Sequence, residues 1–166
     1  ILAREIKQFA QFADSERLIV TLQDTNAITQ HLDRPENRGV RDWWYPGLSK
    51  MGTVTEGAGQ IRAYSRLAFF KHYNDIRNKL EHAHGRVRDI HNQERMQNSP
   101  VLSGLGILAD VDFGAPTNVI LVSSVAGGTG SGMLLDMGFL IKDLLGEQAN
   151  VLAHLVFPGH FGNITN

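Results

Sequence analysis

In the stretch AGGTGSG, residues 126–132, four glycines (Gly127, Gly128, Gly130, Gly132) surround two hydroxyl-bearing side chains, Thr129 and Ser131. NVILVSS (118–124), apolar and β-branched, precedes it; GMLLDMGFLIKDLL (132–145), apolar on most of a helical circumference, follows it. That order predicts a buried strand, a glycine turn and a largely buried helix starting near Gly132. Glycines at such a junction permit positive φ and let a ligand approach the main chain without meeting a Cβ. The first-turn amides of a helix lack intrahelical acceptors, and the helix dipole adds partial positive charge there. The junction is therefore expected to attract an anion such as phosphate, with Thr129 and Ser131 as further donors. A tight turn without a ligand would be satisfied by fewer glycines. No lysine follows the loop, so it is not the Gly-Lys-Ser/Thr phosphate loop. Nor does the spacing match Gly-x-Gly-x-x-Gly with a later acid, which disfavours a dinucleotide-dependent enzyme.

The surrounding elements must hold that junction at a sheet edge. Leu2, Ile6, Phe9 and Phe12 recur at helical spacing, so 1–13 reads as an amphipathic helix. RLIVTL (17–22) reads as a buried strand that runs into the polar loop QDTN. Prolines and glycines interrupt 33–60, where Trp43, Trp44 and Tyr45 read as anchors pinning a loop to the core rather than a platform for bases. From Gln60 a long helix is expected, with a continuous seam of Phe69, Tyr73, Ile76, Leu80, Ala83, Val87 and Ile90, ending at Asn98-Ser99-Pro100. His82, His84 and His91 on it read as a solvated face. Residues 101–117 are ambiguous between a strand and an insertion, and NVLAHLVFP (150–158) is a third strand. Helices alternating with strands predict an α/β domain with a largely parallel sheet, whose ligands sit beyond the carboxyl ends of the strands.

Bulk properties exclude several classes. The 166 residues suit one domain, and 42% apolar with 20% charged residues is ordinary for a globular protein. A net charge of −1 gives no global field for nucleic acid or membranes. No cysteine is present, which removes disulfides and thiolate chemistry and fits a cytoplasmic protein. No apolar run is long enough for a membrane span, and Arg4, Glu5 and Lys7 interrupt any signal peptide. The chain opens on Ile1, already within a helical pattern, and reads as a fragment.

GGTGSG after a buried strand resembles the signature of the tubulin and FtsZ superfamily, Gly-Gly-Gly-Thr-Gly-Ser/Thr-Gly, with Ala126 standing for the first glycine. GAGQIRAYSRLAFF (57–70) resembles the FtsZ loop that begins Gly-Ala-Gly and enters a helix, with Ser65 replacing a family glycine. LIVTLQDTNAI (18–28) resembles the strand and acid-bearing loop that aligns Asp24 with the family acid, and HLVFPGHFGN resembles the tubulin strand ending Val-Phe-Pro. The four matches fall in family order, and the wider fit is to divergent bacterial tubulin-like proteins.

The resemblance implies a Rossmann-like three-layer α/β domain of the tubulin/FtsZ nucleotide-binding type, spanning 1–166 as a partial domain. Ala126, Gly127, Gly128, Thr129, Gly130, Ser131 and Gly132 would form the loop holding the α- and β-phosphates of GTP or GDP. The amides of Ala58, Gly59 and Gln60 would sense the γ-phosphate, and Asp24 would face Mg²⁺ through water. Asp24 equally fits a helix cap after its strand. In the family a first glycine loop would precede Ile1, and the base-reading helix and catalytic acidic loop would follow Asn166. The catalytic acid is thus unknown here, and this chain alone is expected to bind nucleotide weakly and hydrolyse it negligibly. Asp136 is expected to face outward or cap locally, leaving Glu56 as the substitute acid. The full protein would be a GTPase that polymerises head to tail into cytoskeletal filaments. The alternative is a tubulin-fold assembly subunit without turnover, with Trp43, Trp44 and Tyr45 as partner contacts.

Overall fold

The computed structural model describes residues 18–20, 25–48, 58, 61–106 and 111–161. The expected helix over 1–13 and the positions of Asp24, Glu56, Gly59 and Gln60 lie outside them. Leu18, Ile19 and Val20, the described part of the first expected strand, join no ladder, but Val20 packs beneath Ala58 and Ala68.

A short helix, α1 (Asn26–Thr29), precedes the segment expected to be irregular, which holds α2 (Arg38–Arg41) and two 3-10 turns at Pro35–Asn37 and Pro46–Leu48. Its aromatics do pin it. Trp44 is buried with Val40 and Leu67 and stacks on Tyr64 at 6.2 Å, while Trp43 meets Trp44 edge-on. Tyr45 alone of the three is exposed.

The long helix expected from Gln60 is three helices: α3 (Arg62–Lys71), α4 (Tyr73–Arg88) and α5 (Ile90–Gln97). His72 leaves helical geometry at φ −97° and ψ 14°, and Asp89 is extended. The apolar seam crosses both breaks without a change of period, so hydrophobic spacing could not register them. Asp89 caps α5 by accepting from the Asn92 amide at 2.9 Å. Ser99 caps α6 (Pro100–Gly104), where Pro100 occupies the first turn, since a first-turn proline forfeits no helical bond. The seam is buried at Phe69 and Ile76 but exposed from Val87 to Ile90.

β1 (Thr117–Ser124) and β2 (Ala149–Val156) pair in parallel, in register from Thr117↔Ala149 to Ser124↔Val156. A parallel pair needs a crossover, here α7 (Gly128–Leu145). Gly146 ends α7 at φ +52°, a backbone geometry that side chains with a Cβ rarely adopt. α7 packs Ile141 and Leu145 on Val119 and Leu121, and Leu140 on Phe69 and Ile76 of α3 and α4. Burial is less complete than the apolar composition suggests. Leu135 and Phe139 of α7 are 71% and 74% exposed, and Val122 of β1 is 75% exposed. Alternation explains the strand: Val119 and Leu121 face α7, whereas Ile120 and Val122 point away. Among the described residues this is an α/β arrangement around a two-stranded parallel sheet.

Candidate phosphate-binding junction

The glycine segment lies where expected, between the carboxyl end of β1 and the amino end of α7. Its internal structure differs. The helix starts at Gly128, with Gly127 as its extended N-cap, so Thr129, Gly130, Ser131 and Gly132 are already helical. None of the four glycines has positive φ; among the described residues that property belongs to Gly106 and Gly146. Their lack of a side chain serves proximity instead. A Cβ on Gly130 would sit 2.9 Å from the Ser124 carbonyl oxygen and against the Ser123 hydroxyl. A Cβ on Gly132 would sit 2.5 Å from Ser65 Oγ and run into the Arg62 carbonyl oxygen. These two glycines let α7 press on the end of β1 and on α3. Gly128 is buried, and a Cβ on Gly127 would meet nothing within 4 Å.

The polar groups divide similarly. Ser131 donates its hydroxyl hydrogen to the Gly127 carbonyl one turn back, leaving only its lone pairs for another partner. Thr129 is exposed, and its Oγ1 accepts the Ala58 amide at 3.3 Å, leaving its own hydrogen to donate. The Thr129 carbonyl accepts from the buried Ser65 hydroxyl at 2.6 Å. Two segments 71 residues apart, the one holding Ala58 and the first turn of α7, therefore meet at one threonine. Ala126 is exposed and its amide donates to Ser124 Oγ, while the Val125 amide extends the ladder to the Val156 carbonyl. Among the described residues the buried Ser123 hydroxyl, beside Gly130, has no hydrogen-bond partner.

Asp136 neither caps nor points freely outward. Arg66 of α3 holds it with two bonds, at 3.0 and 3.2 Å, and the same guanidinium lies 4.9 Å from the Trp43 ring centre. The spacing of single residues carried no sign of this pair, which depends on α3 and α7 lying side by side. His82 and His91 are exposed as expected, whereas His84 is half-buried and its Nε2 is shielded from solvent. Among the described residues, no group of three or more His, Asp or Glu could hold a metal ion, and no helix is long and apolar enough to cross a membrane.

A parallel strand delivering its chain through glycines into a helix N-terminus defines an α/β unit with one exposed junction at the sheet's carboxyl edge. The chain matches the model of the family described as tubulin-like over residues 4–166, and it belongs to that family. Comparison with curated proteins and with solved structures gave no match.

Proposed function

We propose that this chain is the guanine-nucleotide-binding part of a tubulin-like GTPase, a Rossmann-like three-layer domain whose full-length form assembles head to tail in the cytoplasm. The observation that carries this reading is the family match over residues 4–166, with the glycine junction placed at the carboxyl end of a parallel strand. The residues present fit a phosphate. The space beside Gly127 is open, the first-turn amides of α7 lack intrahelical acceptors, and the exposed Thr129 hydroxyl keeps a hydrogen to donate.

In this reading Ala126–Gly130 hold the α- and β-phosphates mainly through backbone amides. Ser131 and Gly132 support the turn, the one by its bond to Gly127 and the other by admitting α3. Ala58, with Gly59 and Gln60, approaches the γ-phosphate, and Asp24 faces a hydrated Mg²⁺, which would neutralise phosphate charge. Asp136, engaged by Arg66, is not the group that orients water.

Nucleotide content tests the reading. Purified full-length protein, denatured and chromatographed, should release GDP or GTP. Gly127→Val should abolish that content while leaving the circular dichroism spectrum unchanged, because a Cβ there has open space around it within 4 Å. A folded protein that releases no nucleotide and binds no added GTP overturns the proposal.

A further inference from the structure

The buried hydroxyl of Ser65, on α3, donates to the Thr129 carbonyl in the first turn of α7 at 2.6 Å. Gly132 makes this approach possible, since a Cβ there would sit 2.5 Å from Ser65 Oγ. One glycine of the loop thus admits a serine from another helix rather than a ligand. Thr129 is the second residue of α7, so its carbonyl already accepts the amide four residues on, and Ser65 fills the second lone pair. The same peptide group carries the Gly130 N–H. Gly130 is the third residue of α7, so its amide is one of the first-turn donors that lack an intrahelical acceptor.

A peptide group is planar and trans, so its N–H points opposite to its C=O. A bond that fixes the direction of the Thr129 carbonyl therefore fixes the direction of the Gly130 amide. It also draws electron density towards the oxygen, and linked hydrogen bonds strengthen one another by about 10–30% each. Thr129 is held at its side chain too, where Oγ1 accepts the Ala58 amide at 3.3 Å. Donors fixed before a ligand arrives need no reordering when it binds.

We infer that Ser65 is a positioning residue for phosphate at this junction, aiming and strengthening the Gly130 amide through the Thr129–Gly130 peptide group. The inference rests on the nucleotide reading above and adds to it a residue of α3 that touches no phosphate itself. A serine that merely fastened α3 to α7 would change stability and leave nucleotide affinity alone.

The probe is mantGDP, titrated by fluorescence into full-length protein at a temperature where circular dichroism shows the variants folded. Ser65→Ala should weaken binding at least about threefold. Leu140→Val thins the same helix contact beside Phe69, away from the first turn of α7, and should lower stability without changing affinity. Gly138→Ala, where a Cβ has open space, should return stability to Ser65→Ala but not affinity. Should Ser65→Ala alone melt too low, that double variant is compared with Gly138→Ala. Native protein and Ser65→Ala binding mantGDP equally overturns this inference alone. So does an affinity loss that Leu140→Val shares or that Gly138→Ala repairs. Native protein that binds no mantGDP overturns the nucleotide reading and this inference together.

Discussion

The Ser65 hydroxyl donates to the Thr129 carbonyl across 2.6 Å, tying the first half of α3 to the first turn of α7. Ser65 is only 1% exposed, so its hydroxyl would otherwise be buried without this partner. The FtsZ loop that residues 57–70 resemble has glycine at this position, and the bond gives the serine a structural role there. Ser65→Ala should destabilise the protein by about 1 kcal/mol, the usual net value of one such bond. Urea unfolding should show a lower midpoint at unchanged slope. An unchanged midpoint would mean that the α3–α7 contact holds without it.

Two glycines of α7 should respond to alanine with opposite signs. Gly138 has open space around it, so Gly138→Ala should stabilise by about 0.4–1 kcal/mol through helix propensity and unfolded-state entropy. At Gly132 the same methyl group would press on the Arg62 carbonyl and Ser65 Oγ, and Gly132→Ala should destabilise by about 1–3 kcal/mol. Thermal melts of the pair decide it: stabilisation at both positions would show that α3 and α7 can separate freely.

Those glycines mark how much the sequence made legible. The order strand, glycine turn, helix, strand could be read from NVILVSS, AGGTGSG and NVLAHLVFP, because period-2 and period-3.6 patterns differ over even a few residues. The burial of Trp44 followed from its place among polar and glycine residues. What escaped were features that depend on neighbours distant in sequence. The spacing of Gly130 and Gly132 is the same whether the missing side chain admits a phosphate, a strand end or the backbone of α3. Likewise the bends at His72 and Asp89 interrupt a seam whose residues keep helical spacing on both sides. The Arg66–Asp136 pair joins positions 70 apart, and no local pattern encodes that distance.

Thr129 gives a more specific test of the proposed nucleotide site. Its Oγ1 accepts from the Ala58 amide, and its hydrogen is left to meet a phosphate oxygen. Thr129→Val keeps the shape and removes both functions, whereas Thr129→Ser keeps them. Measured by mantGTP and mantGDP fluorescence on full-length protein, Thr129→Val should lose about tenfold in affinity, equivalent to about 1.4 kcal/mol. Thr129→Ser should stay near the native value. Equal affinity in the native protein and Thr129→Val would remove this hydroxyl from the site without deciding whether the backbone amides bind phosphate.

At the end of α7 a lysine displaces the pKa of a carboxyl group. Lys142 Nζ donates to Glu147 Oε1 at 2.9 Å, and this bond, aided by the lysine's charge, lowers the Glu147 pKa below the ordinary carboxylate value. The bond bridges the Gly146 break and fastens the 3-10 turn (Gly146–Gln148) that leads into β2. Because the folded-state pKa is the lower one, the pair's contribution is present above the unfolded-state value and is lost as pH falls through the folded-state value. The carboxylate is fully exposed, so the contribution should also shrink as salt screens the pair. An NMR titration of the Glu147 side-chain carboxyl should give a midpoint below that of a free glutamate. Lys142→Met should return it to the ordinary value, and high salt should move the native midpoint in the same direction. A native midpoint that neither Lys142→Met nor salt displaces would show that the lysine does not hold Glu147 in solution.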